Sequence, residues 1–189
     1  MVVISYHTSD TVFANADSKT RGRWYNYGED PTCIFDGGAP YFTDDSFYVR
    51  YQDNILGARS QATSLTLAFD PDTTKIDTTT NQINIGINVT PTESLPDRAN
   101  LRLFVVIYED SAYYQSSFPP FAPMLSLFVV RKILPDTLGL NVPVEFPNSF
   151  DTTFTNPVGS WDKDQIGIAV FVQNIQTKEV LQAVVKRKF

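Results

Sequence analysis

Histidine and cysteine, the residue types most often used for covalent chemistry at neutral pH, occur once each in this 189-residue sequence, as His7 and Cys33. Any Ser-His-Asp or Cys-His nucleophile must therefore use His7. It closes the apolar run Val2-Val3-Ile4-Ser5-Tyr6 and stands beside Thr8, Ser9 and Asp10, where a loop role suffices. No second imidazole or thiolate is present to complete a transition-metal site with it. Cys33 lies in Thr32-Cys33-Ile34-Phe35 without a basic neighbour in sequence. It reads as a small buried hydrophobe rather than a reactive thiolate, and a single cysteine excludes an internal disulfide. The sequence thus assembles no catalytic site and no metal site, implies no cofactor, and points away from a self-sufficient enzyme.

Carboxylates offer little more. Glu109-Asp110 and Asp44-Asp45 are adjacent in sequence, so in a strand or helix their side chains diverge instead of flanking one scissile bond. They are expected to form a strand-end turn and a helix cap. Asp70-Pro71-Asp72-Thr73-Thr74-Lys75-Ile76-Asp77 carries oxygens at alternate positions, but it lacks the central glycine and distal glutamate of a calcium loop and has Lys75 in the middle. A polar hairpin turn is the preferred reading. The segment with most binding potential is aromatic and proline-rich: Tyr113, Tyr114, Phe118, Pro119, Pro120, Phe121 and Pro123. Loops of that kind mark interfaces, or fold back to cover one end of a domain. Trp161, in Gly159-Ser160-Trp161-Asp162, is a further aromatic candidate; with Tyr113 and Tyr114 it could stack on sugar rings in a carbohydrate-binding sandwich, or simply plug the core.

The elements that must position these residues are mostly strands. Val, Ile, Thr, Phe and Tyr are plentiful. Val2–Tyr6 reads as a short strand, 14–27 as a helix ended by Gly28, and 44–59 as a helix capped by Asp44 or Asp45, with 57–60 as linker. From Ser60 onward the period changes from 3.6 to 2. Leu65–Phe69, Ile83–Val89, Leu101–Tyr108, Leu125–Leu134, Val142–Phe146, Ile166–Ile175 and Glu179–Lys186 are the strand candidates, the last two forming a hairpin about 173–178. The expected architecture is mainly β with a small α/β part. Residues 1–59 form one region, and 60–189 form a seven-stranded antiparallel β-sandwich. The net charge of −6 gives no general attraction for nucleic acid. No apolar run reaches the ~18 residues of a membrane-spanning helix, and Met1–Tyr6 does not have the form of a signal peptide.

The order of several segments supports a resemblance. Ser5-Tyr6-His7, the arginine-bearing helix ending near Trp24-Tyr25-Asn26-Tyr27-Gly28, Asp30-Pro31-Thr32 and Phe35-Asp36-Gly37 resemble the second half of a thioredoxin-like domain. Tyr108-Glu109-Asp110, Val129-Val130-Arg131-Lys132-Ile133-Leu134-Pro135, Ile168–Asn174 and Thr177-Lys178-Glu179-Val180-Leu181-Gln182-Ala183 resemble the C-terminal β-domain of the outer membrane protein 28 related family of Gram-negative bacteria. The resemblance covers nearly the whole chain. It implies a partial thioredoxin-like region at 1–59, in which Pro31 matches the proline that is usually cis. The Cys-x-x-Cys that would lie upstream of Val2 is missing, so Pro31 keeps a structural role. It also implies a periplasmic, outer-membrane-surface or extracellular address, and a non-catalytic structural or binding function toward a protein or envelope component. The alternative is a fragment of a thiol-disulfide oxidoreductase whose cysteines precede Met1. An open sheet edge near Val2–Tyr6 would invite a homodimer.

Overall fold

The computed structural model describes residues 3–10, 12–26, 32–38, 40–42, 47–95, 97–114 and 124–187. Helix α1 (Ala16–Tyr25) is entered through a reciprocal capping box: the Asn15 side chain accepts from Ser18 N–H at 2.9 Å, and Ser18 Oγ accepts from Asn15 N–H at 3.0 Å. It ends at Asn26, which takes the left-handed conformation (φ 54°). The stop expected at Gly28 therefore falls two residues earlier, because asparagine tolerates that conformation. The buried residues of α1 are Ser18, Arg21 and Gly22. A helix that buries a polar face needs specific partners, and these are described below.

Strands β1 (Thr32–Ile34) and β2 (Pro40–Phe42) form a two-stranded antiparallel sheet of their own. The turn between them carries Asp36 (φ 46°) and Gly37 (φ 76°). It docks on the far end of the chain: Val180 N–H donates to the Asp36 carbonyl at 3.0 Å, and a Cβ on Gly37 would lie 1.5 Å from the Lys178 carbonyl oxygen. Helix α2 (Phe47–Ser60) runs through Gly57, where a linker was expected. The first strand predicted over Val2–Tyr6 is, among the described residues, one parallel bridge between Ser5 and Val129. The thioredoxin-like arrangement implied for 1–59 is not shown by these elements.

The remainder is antiparallel β. It comprises β3 (Leu65–Asp77), β4 (Gln82–Pro91), β5 (Leu101–Tyr114), β6 (Met124–Leu134), β7 (Leu140–Asn141), β8 (Phe150–Pro157), β9 (Ile166–Asn174) and β10 (Val180–Arg187). A three-stranded sheet runs β3-β4-β8, and a five-stranded sheet runs β10-β9-β5-β6 with β7 on the end of β5. Among the described residues, eight strands thus stand where seven were expected. Two were not predicted: the two-residue β7, and β8, whose inward positions Phe150, Thr152, Phe154 and Asn156 are half polar, so its alternation is faint in hydropathy. Val142 and Val144, expected in a strand, are buried in the core from an irregular segment.

The segment 70–77, read as a turn, continues β3 across a register shift between Asp70 and Lys75. Asp70 accepts from Asp72 N–H and Thr73 Oγ, so its oxygens are spent on its own chain. Thr74 Oγ1 both donates to the Gly86 carbonyl and accepts from Gly86 N–H, each at 3.1 Å. A Cβ on Gly86 would come 2.8 Å from Thr73 Cβ, so the glycine makes room for the bulge. The hairpin expected between the last two strands is present as β9-β10.

The two sheets pack face to face. Ile83, Ile85, Ile87 and Val89 of β4 meet Leu101, Leu103, Val105 and Ile107 of β5 and Ile166, Ile168, Val170 and Val172 of β9. The opposite face of the large sheet is also buried: Phe104, Val106, Tyr108, Val130, Ala169 and Phe171 lie under Ile4 and Tyr6. Every residue of β9 is consequently buried, which explains its nearly continuous apolar run.

Candidate functional site

Three clusters use residues capable of binding or chemistry. The first is on the β5–β6 hairpin. Tyr113 stands opposite Leu125, and Ser111 stands opposite Leu127. Tyr113 and Leu125 are each 63% exposed, and Leu127 is 50% exposed. Residues two apart share a face of a strand, so Tyr113 and Ser111 continue the face of Leu103, Val105 and Ile107, which lower down buries the core. The hairpin carries that apolar face into solvent as a ledge. Tyr114, on the other face, is 39% exposed. Phe118, Phe121 and Pro123 of the aromatic segment lie outside the described residues, as does Pro31. The cis X-Pro bonds among the described residues are Leu134–Pro135 and Phe146–Pro147.

Trp161 does not join the ledge; it is half-buried and packs against the main core. Its turn is held by Glu109, whose Oε1 accepts from Asp162 N–H at 3.0 Å while Oε2 accepts from Arg131 Nε at 2.5 Å. Glu109-Asp110, expected at a strand end, sits inside β5, and Glu109 is buried in an ion pair with Arg131. The acid is tolerated there because both oxygens are satisfied. Sequence reasoning had no signal for this pair, since Arg131 is 22 residues away and is the residue bulged out of the β5–β6 register.

The second cluster is a buried cation. Arg21 is fully buried, with its guanidinium 4.1 Å from the Phe104 ring centroid and 4.2 Å from that of Trp24. Its Nη2 donates to Gln173 Oε1. Gln173 Nε2 donates in turn to the Lys178 carbonyl at 2.5 Å and to Tyr25 Oη at 3.1 Å, and Lys178 Nζ donates to the Trp24 carbonyl at 3.0 Å. Burial pushes the Tyr6 phenol well above its ordinary range; Tyr25 adds to this and Arg21 opposes it. Tyr6 Oη and Arg21 Nε are the buried polar side-chain atoms left without a normal hydrogen bond among the described residues. Among the described residues, aromatic faces and one amide, rather than a carboxylate, face this charge. The cluster binds α1 to the sheet.

The third cluster gathers around His7, for which the sequence suggested a loop role. His7 Nδ1 is 2.7 Å from Asp10 Oδ2, and His7 Nε2 is 2.8 Å from Ser126 Oγ. Ser126 lies 119 residues away on β6, so no sequence spacing could reveal the array. What brings it together is the Ser5 bridge to β6, where Ser5 N–H donates to the Phe128 carbonyl and Val130 N–H donates to Ser5. Asp10 Oδ1 accepts from the N–H groups of Val12, Phe13 and Ala14 at 2.9, 2.5 and 3.2 Å. Burial alone would raise the Asp10 carboxyl, but these bonds and that from His7 outweigh it and hold it below the usual carboxylate range.

Cys33 is half-buried in β1, and its thiol faces Tyr51, whose phenol is pushed up to about 12 by burial and by that thiol. A cleft of 460 Å³ opens where the β1–β2 turn, α2 and the β9–β10 turn meet, lined by Asp36, Asp53, Asn54 and Glu179. Burial raises the Asp36 carboxyl. No cluster of three or more metal-ligating side chains occurs among the described residues. No helix among them is long and apolar enough to cross a membrane.

No protein-family model matches this chain, and no curated protein matches it. Its architecture is that of a two-sheet antiparallel β domain with a helical region packed on the outer face of the larger sheet. Among solved structures it resembles HBP35 of Porphyromonas gingivalis, with a TM-score of 0.69 at 12% identity over 90% of this chain and 58% of that one. This chain therefore spans little more than half of that protein. It also resembles a domain of the outer membrane lipoprotein Omp28 from Porphyromonas gingivalis, with a TM-score of 0.47 at 19% identity over 68% of this chain and 90% of that one. At 12% identity the first likeness establishes the fold alone, and the second, at its TM-score, adds no argument to it.

Proposed function

We propose that the chain is a protein-contact module of the bacterial cell envelope. The observation that carries this reading is the ledge of Tyr113, Leu125 and Leu127, a sheet face of core composition that the hairpin holds in solvent. Exposed aromatic and aliphatic side chains on a rigid strand pair lose little conformational entropy on burial, and so suit a protein interface. The envelope address rests on the sequence segments that resemble the outer membrane protein 28 related family. The binding reading asks no chemistry of the chain. A homodimer through the 2–6 segment has less support, because Ser5 already occupies main-chain groups of Phe128 and Val130.

Site-specific photocrosslinking in the cells that produce the protein tests this. A crosslinker at position 125 is expected to yield one discrete adduct with an envelope protein, identified by mass spectrometry. The same group at the exposed Asp151 of β8 should yield none, and Tyr113→Asp should abolish the position-125 adduct. Identical patterns at 125 and 151 would overturn the proposal.

A further inference from the structure

The array on the β5–β6 hairpin supports a second property, independent of the contact surface. We propose that Ser126, His7 and Asp10 form a nucleophilic centre that takes an acyl group from a small activated ester.

Hydrogen-bond chemistry fixes the direction of the array. The Asp10 carboxylate can only accept, so His7 Nδ1 carries the proton in the 2.7 Å contact; in the neutral ring Nε2 is then the acceptor for the Ser126 hydroxyl at 2.8 Å. This is the order acid, base, nucleophile in which an imidazole removes a hydroxyl proton while a carboxylate holds its tautomer. The geometry is set by groups outside the array. Three backbone N–H groups hold the other Asp10 oxygen. Ser18 Oγ donates to the His7 carbonyl at 2.5 Å, and the imidazole packs on buried Phe13 with ring centroids 5.1 Å apart. On β6, Ser126 faces Ala112 across the ladder, so no bulky side chain stands opposite it. Ser126 and His7 both remain partly exposed, as approach of a small ester requires.

In the step proposed, Ser126 Oγ bonds to the acyl carbon as its proton passes to His7 Nε2. The tetrahedral adduct collapses, the ester C–O bond breaks, and the alcohol leaves with the proton from Nε2. Water, with His7 again as base, later releases the acyl group as a carboxylic acid and restores the serine. An oxyanion hole contributes about 10²–10³ in rate where one exists. The step draws on no such donors, so the expected signature is stoichiometric acylation followed by slow turnover.

The probe is p-nitrophenyl acetate, incubated with the whole chain and followed by intact mass and peptide mapping. The expected result is one acetyl group on the peptide containing Ser126. It should be absent in Ser126→Ala and formed at least about 100-fold more slowly in Asp10→Asn, which keeps an oxygen for the three backbone N–H groups but loses the charge that orients the imidazole. Thermal melting is measured on each variant. Should Asp10→Asn melt early, Ser126→Ala decides alone. Acetylation confined to lysine or tyrosine, or unchanged in Ser126→Ala, would overturn the proposal and leave the array as a latch between the 3–10 segment and β6. Neither result bears on crosslinking at position 125.

Discussion

The two faces of the five-stranded sheet are closed by different physics. On the inner face, β4 lays Ile83, Ile85, Ile87 and Val89 against the aliphatic rows of β5 and β9, an interface without direction in which area is what counts. On the outer face the cover is a short segment and a polar helix. They are fastened at points: Arg21 on Phe104 and Gln173, Asn15 Nδ2 on the Val130 carbonyl at 2.6 Å, Asp17 on Ile133 N–H and on Lys132 Nζ, and His7 on Ser126. A hydrophobic interface tolerates small shifts, whereas a point-fastened one either forms with correct geometry or leaves buried groups unpaired. The outer cover should therefore open locally before the inner core yields.

Truncating the inner face should give the largest effect. Ile168→Ala removes buried methyl groups from the central strand and is expected to cost about 2–5 kcal/mol, read as a lower urea midpoint with all amides affected together. Arg21→Ala should cost about 2 kcal/mol, the value of a desolvated cation–π contact, with hydrogen exchange accelerated in 16–25 while β4 and β9 stay protected. Equal acceleration in β9 would erase the distinction between the two faces.

A smaller effect should come from acid. The Asp10 carboxyl titrates lower in the folded chain than in the unfolded one. Its contribution is therefore complete above the unfolded value of about 3.9 and is lost as pH falls through the folded value. Exchange in 12–18 is expected to rise across that acid window in the parent and to show less of this acid dependence in Asp10→Asn. Smallest of all, Leu125→Ser on the exposed ledge should change stability by no more than about 0.5 kcal/mol; a larger loss would mean that the ledge is covered within the chain.

The β-rich class, the period change near Ser60, the final hairpin and most strands were legible in the sequence, because alternating burial writes itself into hydropathy. Strand β8 was not, since Thr152 and Asn156 fill inward positions with polar atoms. The turn predicted at 70–77 failed because a bulge, made possible by Gly86, lets a polar segment continue a strand. Trp161, for which the sequence left a core role and a binding role open, packs half-buried against the main core, but the Glu109–Arg131 pair that seats its turn left no trace in local pattern.

Residue order by itself determined which segments extend and which faces bury, for that information is local and periodic. Only the tertiary structure decided that His7 meets Ser126, that Arg21 lies on Phe104, and that Gly37 must lie against Lys178. Each of these depends on backbone segments more than 80 residues apart being brought to hydrogen-bond or van der Waals distance, and no periodicity along the chain records such a meeting.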